Sequence, residues 1–203
     1  MAAAFGVLAA LVSASCGGLP RTHYYTLRML PLPPAHDPKT TFVLGVERFR
    51  ASEALRGDRI VYYESPTQLN FYEYHRWSAV PATMLSEQAA RQLESMGLFA
   101  QIRLLPSREP VDYILQGHLL NFEEVDYEGG KGRAALQLKL VRARDHKVVW
   151  SVMRQAERPI QGKGVPGVVS ALNDSADQLL REALAALAAE VEREFVENSG
   201  KSQ

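Results

Sequence analysis

The sequence predicts an α/β fold: one domain with a mixed, largely antiparallel sheet and two main helices packed on it. Three observations carry this. Leu136, Leu138 and Leu140 alternate with Gln137 and Lys139, the period of a strand with one buried face. Met84, Leu85, Ala89, Leu93 and Met96 recur three to four residues apart, and Leu172, Ala176, Leu179, Ala183, Leu187 and Val191 about four apart, the spacing of two amphipathic helices. Short strands, a helix, a strand, three consecutive strand-like runs and a closing helix follow one another along the chain, an order that buries helices against a sheet. At 203 residues the chain is of ordinary size for a single domain with a full hydrophobic core.

The first element is not part of that domain. Met1 to Ser15 carries no charge, and Phe5, Val7, Leu8, Leu11 and Val12 sit among alanines, which reads as a signal peptide over residues 1–15. Roughly 10 to 12 apolar residues are too few for a spanning helix, which needs about 20. Ser13, Ala14 and Ser15 lead to Cys16, the one cysteine of the chain. Small residues directly before a cysteine resemble the lipobox of bacterial lipoproteins, so Cys16 is expected to be the acylated first residue of the mature protein. Ser13 stands where a larger aliphatic residue is usual, and no Lys or Arg precedes the apolar run, which points to a start codon further upstream or to a trimmed chain. With Cys16 committed to lipid, no disulfide and no thiol-bound metal is available to the domain. Two or three acyl chains, at about 0.8 kcal/mol per buried CH₂, make a stable membrane anchor where one would be marginal.

Residues 16–23 are then a lipidated tether, residues 24–197 the domain and residues 198–203 a tail. Tyr24 to Leu27 is the first strand-like run; Pro31, Pro33, Pro34 and Pro38 make a stiff spacer after it, because proline fixes φ. Phe42 to Val46 reads as a short buried strand. Arg59 to Tyr63 and Leu69 to Tyr74, rich in aromatic and β-branched residues, read as a hairpin. Pro81 suits a first helical turn and Gly97 a C-terminal cap, giving a helix over 80–96 that leads into a strand over 98–102. Residues 111–157 read as a three-stranded antiparallel meander turning at Glu128 to Gly132 and at Asp145 to Lys147. Gly162, Gly164, Pro166 and Gly167 form a loop, and from Val168 onward one long helix shows a narrow apolar stripe, a face open to self-association. Glu190, Glu192, Glu194 and Glu197 place negative charge at the negative pole of that helix, so its last turns are expected to fray or to meet a partner.

Composition excludes several functions. Lys plus Arg and Asp plus Glu number 23 each, and the basic residues form no stripe, so the electrostatic footprint of a nucleic-acid binder is missing. The five histidines, at 23, 36, 75, 118 and 146, include no pair at i and i+4, and no metal site or other cofactor is expected. No nucleophile elbow or phosphate loop follows a strand, so no catalytic residue is assigned and the chain reads as a non-enzyme. Glu123, Glu124, Asp126 and Glu128 match no EF-hand spacing and read as a solvated strand end. Arg76-Trp77, following Phe71, Tyr72 and Tyr74, has two readings. An arginine stacked on aromatics can present a fork to a phosphate or carboxylate, a docking or lipid-contact patch; alternatively, Trp77 plugs the core where hairpin meets helix.

Asp58-Arg59-Ile60-Val61, Leu69-Asn70-Phe71, Tyr74-His75-Arg76-Trp77-Ser78 and a leucine-containing helix closing on Gly97-Leu98-Phe99 together resemble the ABC-type transport auxiliary lipoprotein family, which includes the lipoprotein of the paraquat-inducible operon. The likeness extends through Tyr24 to Leu27, Leu115-Gln116-Gly117-His118-Leu119, Val149-Trp150 and the last helix. It implies an α/β sandwich and a Gram-negative envelope lipoprotein. The implied partners are a mammalian-cell-entry domain protein and an ABC permease complex, which move phospholipids or related hydrophobic compounds between membranes. Gly17 after the cysteine is compatible with sorting to the outer membrane, facing the periplasm. A structural lipoprotein of outer-membrane assembly and an envelope hydrolase are the alternative roles.

Overall fold

The computed structural model describes residues 20–30 and 39–193; Cys16, the proline-rich spacer and the tail lie outside them. Among the described residues nine strands form one mixed sheet; in chain order they are β1 (His23–Tyr25), β2 (Val43–Val46), β3 (Arg50–Ala51), β4 (Arg59–Ser65), β5 (Gln68–Trp77), β6 (Gln101–Leu104), β7 (Tyr113–Val125), β8 (Lys131–Arg142) and β9 (Lys147–Pro159). Helix α1 (Pro81–Met96) lies between β5 and β6, and α2 (Gly164–Val191) closes the fold.

Strand β7 is the axis. One of its edges pairs antiparallel with β8 along its whole length, from Tyr113 opposite Arg142 to Val125 opposite Lys131. The other edge accepts β2, β3 and β4 in succession, all parallel. β6 extends the sheet from β2, while β5 and then β1 extend it from β4. The β7-β8-β9 meander and the β4-β5 hairpin match the expected antiparallel pairings; the parallel joins to β7 connect segments far apart in sequence, where local pattern is silent.

Both helices cover one face. Gly132 of β8 directs its missing side chain at α2, where a Cβ would stand 2.8 Å from the backbone of Ala171 and Leu172, and the Ser175 hydroxyl donates to the Gly132 carbonyl at 2.8 Å. The alternate residues Leu136, Leu138 and Leu140 therefore face the helices, and all are fully buried. α1 touches β2, β6 and β7, α2 touches β7, β8 and β9, and the helices touch each other.

Four expectations need correction. Leu98 and Phe99 are core plugs ahead of the strand, which begins at Gln101. α2 starts at Gly164, within the predicted loop, because Val165, Val168 and Val169 already bury against the core. Its stripe is broad: Leu180 and Leu184 join Leu179, Ala183 and Leu187 in the core. Finally, Glu123 and Glu124 are buried. Arg133, directly opposite on β8, and Asn121 both donate to Glu123, and the Tyr72 hydroxyl donates to Glu124 at 2.5 Å.

Gly117 is required by packing. Its position faces Phe49, a buried residue between β2 and β3, and an added Cβ would meet three ring carbons, the farthest only 2.7 Å away. Gly117→Ala should cost about 1–3 kcal/mol by overpacking, read as a lowered midpoint in thermal unfolding. The Gly117→Ala/Phe49→Leu pair should lose less than the sum of its two single changes, since they share one contact.

Candidate functional site

The Arg76-Trp77 dipeptide ends β5, where it is clamped by β1 and β4. Tyr24 pairs with Arg76 and Tyr25 with Trp77 from β1, and Arg59 pairs with Arg76 from β4. Side chains alternate across a strand, so the two residues part company. Trp77 turns inward, 1% exposed, and packs on Phe122 with ring centroids 5.1 Å apart; its backbone N–H donates to the Asp58 carbonyl at 2.7 Å. Arg76 turns outward and donates to the Asp58 carboxylate at 2.9 Å. Trp77 is thus the plug between hairpin and helix layer, and Arg76 and its neighbours form the surface at this edge.

Those neighbours are aromatic. Tyr24 is 66% exposed in the same cross-strand row, and Tyr74 is 37% exposed two residues before Arg76. In that row the Arg59 guanidinium lies 3.9 Å above the Phe71 ring, a cation–π contact that holds the arginine flat on the sheet. On the inward side His23 and His75 stack at 5.1 Å, and Tyr25 Oη and His75 Nδ1 share a hydrogen bond at 2.9 Å. Burial, and secondarily the charge of His23, hold His75 below the ordinary imidazole value. Tyr62 and Tyr72 continue the cluster at 4.8 Å. Burial, then the hydrogen bond to Glu124, pushes the Tyr72 phenol well above its ordinary value, and burial raises Glu124. This raised pair is held in its own hydrogen bond.

The histidine cluster escaped the sequence reading because His23 and His75 are 52 positions apart and meet only through the parallel β1-β5 register. Among the described residues no group of three or more His, Cys, Asp or Glu is placed to hold a metal ion, and no helix is long and apolar enough to cross a membrane.

The chain is an α/β domain with two helices on its sheet, and Tyr24 of β1 with Tyr74 and Arg76 of β5 lie together at the β1 edge. The model of the ABC-type transport auxiliary lipoprotein component matches residues 25–184, and the chain belongs to that family. The fold is similar to that of protein XCC0632 from Xanthomonas campestris, a DUF330 protein, at 20% identity and a TM-score of 0.75, over 86% of this chain and 100% of that one. It is also similar to a crystal structure of an uncharacterized protein at 19% identity and a TM-score of 0.63, over 85% and 99% of the two chains. No curated protein matches. Family membership makes this chain an auxiliary lipoprotein component of ABC-type transport.

Proposed function

We propose that this chain is a non-enzymatic accessory subunit of an envelope transport system of the ABC and mammalian-cell-entry type, which moves phospholipid or other hydrophobic compounds between membranes. Acyl groups on Cys16 anchor it in the outer membrane, and the domain faces the periplasm. The observation that carries the reading is the family match across the domain, from Tyr25 in β1 into α2. A physical argument supports the orientation. Cys16 and His23 are seven residues apart, which spans roughly 25 Å at full extension. The β1 edge is therefore held near the lipid headgroups, where Tyr24 and Tyr74 are exposed and Arg76 is half-exposed beside them; tyrosine and arginine suit such an interface.

Affinity capture from cross-linked envelopes with tagged full-length protein tests the assignment. Recovery of a mammalian-cell-entry domain protein or an ABC permease upholds it. Recovery of outer-membrane assembly components alone would favour a structural lipoprotein, and neither outcome depends on the acyl anchor. The anchor has its own prediction: Cys16→Ser should leave the domain folded and release it from membranes, read by fractionation and circular dichroism. Persistent membrane attachment of a folded Cys16→Ser protein would overturn it.

A further inference from the structure

We propose that the helix-free face of the sheet carries a binding site for a phosphate-bearing anion, formed by Arg50, His118 and Lys139. A pocket of about 140 Å³ opens there, lined by these three with Glu47, Gln116 and Gln137. The register assembles it from strands distant in sequence. Arg50 of β3 stands opposite His118 of β7, His118 opposite Gln137 of β8, and Gln116 opposite Lys139. These positions alternate with Leu115, Leu119, Leu136, Leu138 and Leu140, which bury under the helices. The polar set therefore points away from the core.

The charge arrangement calls for a ligand. Arg50 and Lys139 have no ion-pair partner among the described residues, and they differ from other unpaired cations such as Arg154 and Arg158 in lining one pocket from the two strands that flank β7. Glu47, the one acid in the lining, is engaged by the Gln116 amide, which donates to its carboxylate at 3.2 Å. A guanidinium fork from β3, an imidazole from β7, and an ammonium and the Gln137 amide from β8 line the one pocket. Such a set surrounds a tetrahedral oxyanion, where a planar carboxylate would be served by the arginine fork alone. The walls are fixed: Phe49, locked against Gly117, pins the backbone that carries Arg50. Pockets that take drug-sized molecules run to about 300–1,000 Å³, so this one admits a phosphoryl group or small headgroup and excludes acyl chains.

Two sources share that chemistry, a free phosphate and a phospholipid headgroup, and the site stands whether or not the transport reading does. The test is calorimetric titration of the full-length chain in neutral detergent with inorganic phosphate and, separately, with glycerophosphoglycerol. Saturable binding of either, with Kd of about 1 mM or tighter, is expected, weakened at least tenfold in the Arg50→Gln/Lys139→Gln variant and unchanged in Arg158→Gln, an exposed change on β9. Tighter binding of glycerophosphoglycerol assigns the site to a lipid headgroup; equal or tighter binding of phosphate assigns it to a free phosphate. Lys139→Gln alone, a side-chain change on the solvent face, must also weaken binding, which covers failure of the double variant to fold. Absence of saturable binding by both probes, or equal binding by the folded variants and the parent, overturns the proposal.

Discussion

Trp77→Ala should lower the thermal midpoint by roughly 6 to 20 °C, from a loss of about 3–5 kcal/mol for emptying a large aromatic site. The indole is fully enclosed, leans on Phe122, and sits where β5 hands over to α1. The cavity would open beneath a short, two-sided clamp, since β1 holds this end of β5 through only three register pairs. Arg76→Ala, one residue away, should change stability by no more than about 1 kcal/mol, because its ion pair with Asp58 is partly exposed. The pair of variants separates folding from docking: loss of captured partners in the folded Arg76→Ala protein would assign that surface a binding role, and unchanged capture would remove it. Differential scanning fluorimetry gives the first readout and cross-linked capture the second.

Glu123→Ala should cost about 3 kcal/mol, the lower end for breaking a buried ion pair. Glu123 is 2% exposed and accepts from Arg133 Nε at 2.8 Å, Asn121 Nδ2 at 2.9 Å and the Phe122 N–H at 2.6 Å. Truncation strands a guanidinium that is itself largely shielded, although its remaining access to water limits the loss. Burial pushes the Glu123 carboxyl above its ordinary value, against the opposing pull of Arg133. Its folded form therefore takes up protons more readily than the unfolded chain. That contribution is present below the ordinary carboxylate range and fades as pH rises through the folded value. The stability difference between the parent protein and Glu123→Gln should accordingly narrow as pH rises from about 4 toward neutrality. Parallel urea titrations across that range check it, and a difference that widens with pH would show that Arg133 dominates.

These two residues also mark where local pattern stops being informative. The alternation of Leu136, Leu138 and Leu140 needs only one strand to be read, and it is one-sided in the fold as expected. The same is true of α1, whose proline start and Gly97 end are visible in the sequence and whose cap adopts the left-handed conformation at φ 58°. Glu123 and Glu124, by contrast, follow a polar run toward a glycine turn and read as solvated. Their burial depends on Arg133, ten positions on, and Tyr72, 52 positions back.

The tyrosine-rich β5 followed the same logic. Sequence placed Arg76 and Trp77 together, and the strand then sent them to opposite faces, one to Asp58 at the surface and one to Phe122 inside. The breadth of the α2 contact was likewise hidden. A period of about four identifies one row of the helix, while Leu180 and Leu184 are core as well, on a helix that packs against β8, β9, β7 and α1.

By itself, then, the sequence determined what short-range periodicity and composition can determine: the two helices, the meander, the α/β class, the expectation of an acylated Cys16, and the family resemblance. The tertiary structure decided everything that required two distant segments to meet. It brought β2, β3 and β4 onto a single edge of β7, buried a carboxylate against an arginine, and gathered Arg50, His118 and Lys139 around one pocket. The reason is physical: burial and charge pairing are properties of neighbours in space, and pairing register, which no short window of sequence contains, chooses those neighbours.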